Sequence, residues 1–158
     1  MRISNGWKMK LETTVYLVDT NVISEARKKS KANKGVLSFF KRVIEENAQV
    51  FISVVTVGEL RRGVELVRYR GDIRQANQLE KWLDALLAEH QDHILDINHD
   101  IAQLWGRLRV PHPENALDKQ IAATALVYEL TVVTRNHKDF VQSGVRVLDP
   151  FTARNGPR

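Results

Sequence analysis

Five oxygen-bearing side chains stand out by type and spacing: Asp19, Glu59, Asp118, Asn136 and Asp139. The steps between the first four (19 to 59, 59 to 118, 118 to 136) are 40, 59 and 18 residues, so only a fold can gather them. Carboxylates brought together repel, and one of them stays protonated unless a cation intervenes. The chain has no cysteine, and His90, His93, His99, His112 and His137 show no metal-ligand spacing. An all-oxygen set of this kind suits a hard divalent cation, Mg2+ or Mn2+. Bound there, the cation activates water and neutralises charge building on a phosphate. The rest of the chain is basic, with 24 Lys and Arg against 19 Asp and Glu, a formal net charge of +5. An acidic centre inside a basic chain suits phosphodiester hydrolysis: basic groups hold the backbone and the acids hold the metal.

Strand ends and helix starts must deliver those side chains. The apolar run Val15-Tyr16-Leu17-Val18 predicts a short buried strand, and it stops at Asp19-Thr20-Asn21, residues that favour turns and helix caps. A short helix is predicted over 22–29 and a polar loop over 28–34. Val36, Leu37, Phe40, Val43 and Ile44 share one helical face. Residues 50–55 predict a second strand, after which Thr56 to Glu59 reads as a capping box opening a helix with Leu60, Val64 and Val67 inward. A further helix from Asp72 turns Ile73, Ala76, Leu79, Leu83, Leu86 and Leu87 inward. A third strand is predicted over 94–97. Asn98 then caps a helix bearing Ile101, Leu104, Trp105 and Leu108, and Pro111-His112-Pro113 ends it. Residues 115–130 are helical, with Ala122, Ala123 and Ala125 permitting close packing, and 131–134 and 145–148 predict two more strands.

Four or five strands alternating with helices predict an α/β sandwich around a mostly parallel sheet. Ligands bind such sheets beyond the carboxyl ends of the strands. Asp19 ends the first strand, Asn136 lies just past the fourth, and Glu59 falls in the first turn after the second. These three point to one rim, and Asp118, at a helix start, can line it too. Each residue also has a plainer reading. Asp19 serves equally as a turn residue, Glu59 as the closing member of the capping box with Thr56, and Asp118 as a charge favoured by a helix dipole. Asp139 reads as a cap for a short helix around Phe140. Arg61, Arg62, Arg68, Arg70 and Arg74 read as a solvated helical face, the histidines as surface residues, and Trp82 and Trp105 as core.

With 158 residues, 43% hydrophobic and 27% charged, the sequence suits one domain with a real core. No apolar run approaches the roughly 20 residues a membrane helix needs. The first dozen residues lack an apolar signal-peptide region. The expected organisation is an extension over 1–12, a domain over 13–152 and a tail over 153–158. The lack of cysteine fits a cytoplasmic setting.

Four stretches, taken together, resemble the PIN-domain family, in particular VapC- and FitB-type toxins of bacterial toxin–antitoxin pairs. They are Leu17-Val18-Asp19-Thr20-Asn21-Val22-Ile23-Ser24-Glu25, then Ile52-Ser53-Val54-Val55-Thr56-Val57-Gly58-Glu59-Leu60 with Arg61-Arg62-Gly63, then Asp118-Lys119-Gln120-Ile121-Ala122-Ala123-Thr124-Ala125, and Val133-Thr134-Arg135-Asn136-His137-Lys138-Asp139-Phe140. They occur in family order over roughly residues 15 to 150. The resemblance implies a PIN-like α/β/α sandwich and an endoribonuclease dependent on Mg2+ or Mn2+. Asp19 and Asp118 match the acids that hold metal most directly, and Glu59 matches a third that acts through a water. Asn136 stands where the family often has a fourth acid, which puts a second metal in doubt, with Asp139 a partial substitute. The implied mechanism is in-line attack of a metal-activated water on an RNA phosphodiester, leaving a 5′-phosphate and a 3′-hydroxyl. Thr20 and Asn21 match positions that orient Asp19, and Arg135 is a candidate for backbone contact. The resemblance further implies a homodimer and a cognate antitoxin that inserts a basic side chain among the acids. In the FitB-like branch the antitoxin carries a ribbon-helix-helix domain, and DNA is bound only through it.

Two rivals share part of this pattern. A haloacid-dehalogenase-like phosphatase also places an Asp after its first strand, but it needs a second Asp two positions on, where this chain has Asn21. The other is a catalytically weak PIN module acting mainly in an antitoxin-bound DNA complex, which the amide at Asn136 favours.

Overall fold

The computed structural model describes residues 14–152. The expected extension over 1–12 and tail over 153–158 lie outside the described residues. The strands are β1 (Val15–Val18), β2 (Gln49–Ser53), β3 (Ile94–Leu95), β4 (Thr131–Val133) and β5 (Arg146–Leu148). The α-helices are α1 (Thr20–Ala26), α2 (Lys34–Glu45), α3 (Val54–Tyr69), α4 (Ile73–Glu89), α5 (His99–Leu108), α6 (Ala116–Tyr128) and α7 (His137–Val141).

All strand pairs are parallel, in the order β3-β2-β1-β4-β5. From β1 the chain adds strands on one side and then crosses to add β4 and β5 on the other. The carboxyl ends of β1 and β4 therefore flank the point where the order reverses, the usual place for a crevice. Strand alternation divides the core between two faces. Tyr16 and Val18 join Val22, Val36, Phe39, Leu60, Val64 and Leu83 on one face, whereas Leu17 joins Ile121, Ala122, Ala125, Val132 and Phe140 on the other. The result is the expected α/β/α sandwich. In α6 five successive residues, Ile121 to Ala125, are buried; small side chains let that helix sit close against its neighbours.

Several elements depart from the sequence expectation. Strand β2 ends at Ser53 and α3 begins at Val54, because the Ser53 hydroxyl accepts the Val55 N–H at 3.0 Å and caps the helix. Thr56 is thus buried inside α3 and closes no capping box. On α2 the buried residues are Val36 and Phe39, with Phe40 and Val43 beside them, and Ile44 is 80% exposed. At about 100° per residue Ile44 falls roughly a quarter-turn from the centre of that face. Ile73, first residue of α4, is 51% exposed. Strand β3 stops at Leu95, short of Ile97. Trp82 packs at the core edge, and half-buried Trp105 ties α5 to α6 by donating its indole N–H to the Ala116 carbonyl at 3.0 Å.

The expected solvated arginine face is partly an ion-pair network. Arg61 and Arg68 on α3 both reach Glu80 on α4, at 2.8 and 2.7 Å, and Arg61 also reaches Asp84 at 3.3 Å. His93 stacks on Phe51, with ring centroids 4.8 Å apart, and half-buried His90 lies 3.0 Å from the Leu86 carbonyl, so these two histidines are not free surface groups.

Candidate active site

Asp19 leaves the end of β1 and caps α1, its Oδ1 accepting the Thr20 N–H at 2.8 Å. It is only 3% exposed. Burial and the Glu59 charge raise its pKa, while bonds from Thr134, Thr20 and Asn21 oppose the rise. The Thr134 hydroxyl donates to Oδ2 at 2.8 Å, and the Asn21 amide donates to the same oxygen at 3.3 Å. Thr134 had no assigned role in the sequence reading. Its signal is register: Val18 pairs with Val133, so the residues after each strand stand side by side.

Asn21 joins this network to the loop beyond β4. Its Oδ1 accepts the Arg135 N–H at 3.0 Å, and the Thr134 hydroxyl oxygen accepts the Asn136 N–H at 3.0 Å. Asn136 is exposed and precedes α7 without a side-chain capping bond.

Glu59 lies in the second turn of α3, one turn further on than the sequence suggested. It does not close a cap with Thr56. Its Oε1 accepts the Thr20 hydroxyl at 2.7 Å, and that hydroxyl also lies 3.3 Å from Thr56 Oγ1. Thr20, the residue next to Asp19, therefore holds Glu59 across 39 positions of chain.

Asp118 sits in the first turn of α6 and is half-buried. Its carboxyl is pushed up to about 6, first by burial and then by the charges of Asp19, Asp139 and Glu59. Asp139 is exposed, inside α7 rather than at its cap, and its charge falls on Asp118. The five sequence candidates thus share one rim, and four of them share one electrostatic field. Among the described residues no three His, Cys, Asp or Glu side chains close into a ready-made metal cage. The donor chemistry nonetheless fits a hard divalent ion: oxygen donors only, with mutual repulsion that a cation would relieve.

Comparison with known proteins agrees with this architecture. The family description "PIN domain" matches residues 16–143. The chain belongs to the PIN-domain family. It is 33% identical over 143 residues to toxin FitB of Neisseria gonorrhoeae (strain ATCC 700825 / FA 1090), covering 87% of this chain and 99% of that protein. It is 31% identical over 141 residues to the VapC ribonuclease Y4jK of Sinorhizobium fredii (strain NBRC 101917 / NGR234), covering 87% and 98%. A solved structure of FitAB bound to an IR36 DNA fragment superposes with a TM-score of 0.76 at 30% identity, covering 89% of this chain and 99% of that one. The acid rim of this PIN domain therefore stands on a fold shared with a toxin and with a ribonuclease.

Proposed function

We propose that this PIN domain is the toxin of a toxin–antitoxin pair and acts as a divalent-metal-dependent endoribonuclease. The observation that carries the reading is Asp118, half-buried at the start of α6, where burial first and then the charges of Asp19, Asp139 and Glu59 push its carboxyl up to about 6 inside a chain of net charge +5. Asp19 and Asp118 would hold Mg2+ or Mn2+, with Glu59 acting through a water. Bound there, the cation supplies positive charge against a phosphate and lowers the pKa of water.

The chain's own residues fix the rest. Thr20, Asn21 and Thr134 direct three donors at Asp19, one at Oδ1 and two at Oδ2, which fixes the carboxylate and leaves Oδ1 the oxygen with room for a further ligand. Thr20 sets the angle of Glu59, which orients the attacking water. Asn136 contributes an amide that contacts phosphate or water but adds no negative charge. A water oxygen forms the new bond to phosphorus as the bond to O3′ breaks. The 3′ oxygen takes up a proton, leaving a 5′-phosphate and a 3′-hydroxyl. Asn21 is committed to Asp19 and the Arg135 backbone, which disfavours the phosphatase rival.

On this reading an antitoxin segment would use a groove beside the acids. A groove lined by Ser24, Arg27, Leu60, Val64, Leu79 and Trp82 also reaches Thr20 and Glu59. A segment lying there would bring a basic side chain to the acids. We assign the ribbon-helix-helix antitoxin, the homodimer and DNA contact through the antitoxin to this chain on the same family basis. The structure of FitAB on DNA supports a complex of that kind, and it also gives weight to the second reading, a catalytically weak module, which the amide at Asn136 favours.

One assay separates the two. Antitoxin-free protein is incubated with a panel of RNAs in Mg2+ or Mn2+ and then in EDTA, beside Asp19→Asn and Asp118→Asn. Cleavage that needs metal and is lost in both variants is the expected result. A well-folded protein that cuts no RNA in either metal supports the binding module instead.

A further inference from the structure

A second feature lies beside the acid rim, and of its lining only Asn136 has a part in the hydrolysis above. Between α7 and the turn after β5 lies a cleft lined by Arg135, Asn136, His137, Lys138, Asp139, Asp149 and Thr152. Its volume of about 630 Å3 lies in the range of small-ligand sites. Asp139 lines it, and the charge of Asp139 also acts on Asp118.

Arg135 is unusual within it. Its guanidinium carbon lies over the Phe151 ring, 3.8 Å from the centroid. It is exposed, and among the described residues its side chain makes no hydrogen bond or ion pair. Glu25 feels its charge but is already bonded to Lys28 and to the Asn33 N–H. The cation–π contact restrains the guanidinium and leaves its N–H groups without a protein acceptor among the described residues. Its backbone is fixed as well: the Arg135 N–H donates to Asn21, whose amide donates to Asp19. The turn presenting Phe151 is held by Asp149, which accepts the Phe151 N–H at 2.9 Å through Oδ1 and the Thr152 hydroxyl at 3.3 Å through its carbonyl.

We propose that Arg135, stacked on Phe151, forms a phosphate subsite that grips an RNA backbone phosphate next to the one held at Asp19 and Asp118. The proposal rests on the nuclease reading and names how that site engages its substrate. A guanidinium fork is matched to phosphate oxygens and binds them with two parallel bonds. Asp139 and Asp149 line the same cleft and disfavour an anion near them, which leaves the arginine edge as the place for it. Lys138 adds a second positive charge on the same side.

The test uses full-length protein carrying Asp118→Asn, to stop cleavage, with a fluorescein-labelled single-stranded RNA of mixed sequence in Mg2+ buffer. Affinity is measured as salt is raised. Adding Arg135→Ala is expected to weaken binding about fivefold or more at low salt. It should also flatten the plot of log K against log salt by roughly 0.7, one phosphate contact on a single strand. Arg135→Lys keeps the slope. Phe151→Leu also keeps the slope but weakens binding, because the charge stays and its restraint goes. Unchanged affinity and slope in Arg135→Ala overturn the subsite and leave the nuclease reading standing. Wild-type protein that neither cuts nor binds the RNA in Mg2+ or Mn2+ overturns both. Thermal melts of each variant check that the fold is intact, above all for Phe151→Leu, because half-buried Phe151 also packs against the core.

Discussion

Asp19 and Asp118 carry the same charge in different company. Asp19 is the more buried, yet three donors hold its carboxylate. Asp118 has no such donor, and every influence on it favours the protonated acid. Its carboxyl rises from the ordinary 3.8 to about 6. The sign of the pH effect follows. The folded state prefers the protonated form, so that preference stabilises the metal-free protein below the ordinary value and is lost as pH rises through about 6. Asp118→Asn keeps the shape and removes the charge. In EDTA it is expected to melt above the parent at about pH 7.5 and to converge with it at about pH 4. Scanning calorimetry across pH checks this, and a variant that melts lower at about pH 7.5 refutes it. Asp19 and Asp118 were legible because a strand end and a helix start are marked by local sequence. The turn that carries Glu59 is misplaced by the sequence pattern because Thr-x-x-Glu reads the same at a helix cap and one turn inside. The true partner of Glu59, Thr20, lies 39 residues away, where no local pattern reaches.

Among the elements, short-range bonds decided boundaries that propensity alone misplaced. Val54 and Val55 are good β-formers, but the Ser53 cap turns them into the first turn of α3. That shift carries Glu59 into the second turn, where it meets Thr20. The approach of Gly35 to the C-terminal turn was equally invisible locally. A Cβ added at Gly35 would stand 1.9 Å from the Pro150 carbonyl oxygen. Backbone must move to admit it, at α2 or at the turn that presents Phe151. Gly35→Ala is expected to lower stability by about 1–3 kcal/mol in urea unfolding. Gly106→Ala is the contrast. That glycine lies within α5 with nothing within 4 Å of the added carbon, so the change should raise stability by about 0.5–1 kcal/mol. Equal effects of the two would show that close approach to Pro150 does not restrict residue 35.

At the scale of the whole molecule, alternation of strands and helices was enough to read a parallel α/β sheet. The strand order was not, because it depends on which side of β1 each crossover lands. That order places β1 and β4 side by side at the reversal point, so Asp19 and Thr134 meet there although 115 residues apart. The same order concentrates negative charge at one end of a molecule that is basic elsewhere. A fold that holds like charges together without compensation stores a binding preference for a cation, and this gives a thermodynamic test independent of cleavage. Adding Mg2+ or Mn2+ to EDTA-treated protein is expected to raise its melting temperature. At a hundredfold excess over the dissociation constant the stabilisation is about 2.7 kcal/mol. Protons compete for Asp118, so the gain should be larger at about pH 7.5 than at about pH 5. It should shrink sharply in Asp118→Asn and in Asp19→Asn, where a ligand charge is lost. Calorimetry with and without the ion measures all of these together. A melting temperature indifferent to both ions at both pH values would mean that the acid rim binds no divalent cation, and the metal-dependent reading would fall with it.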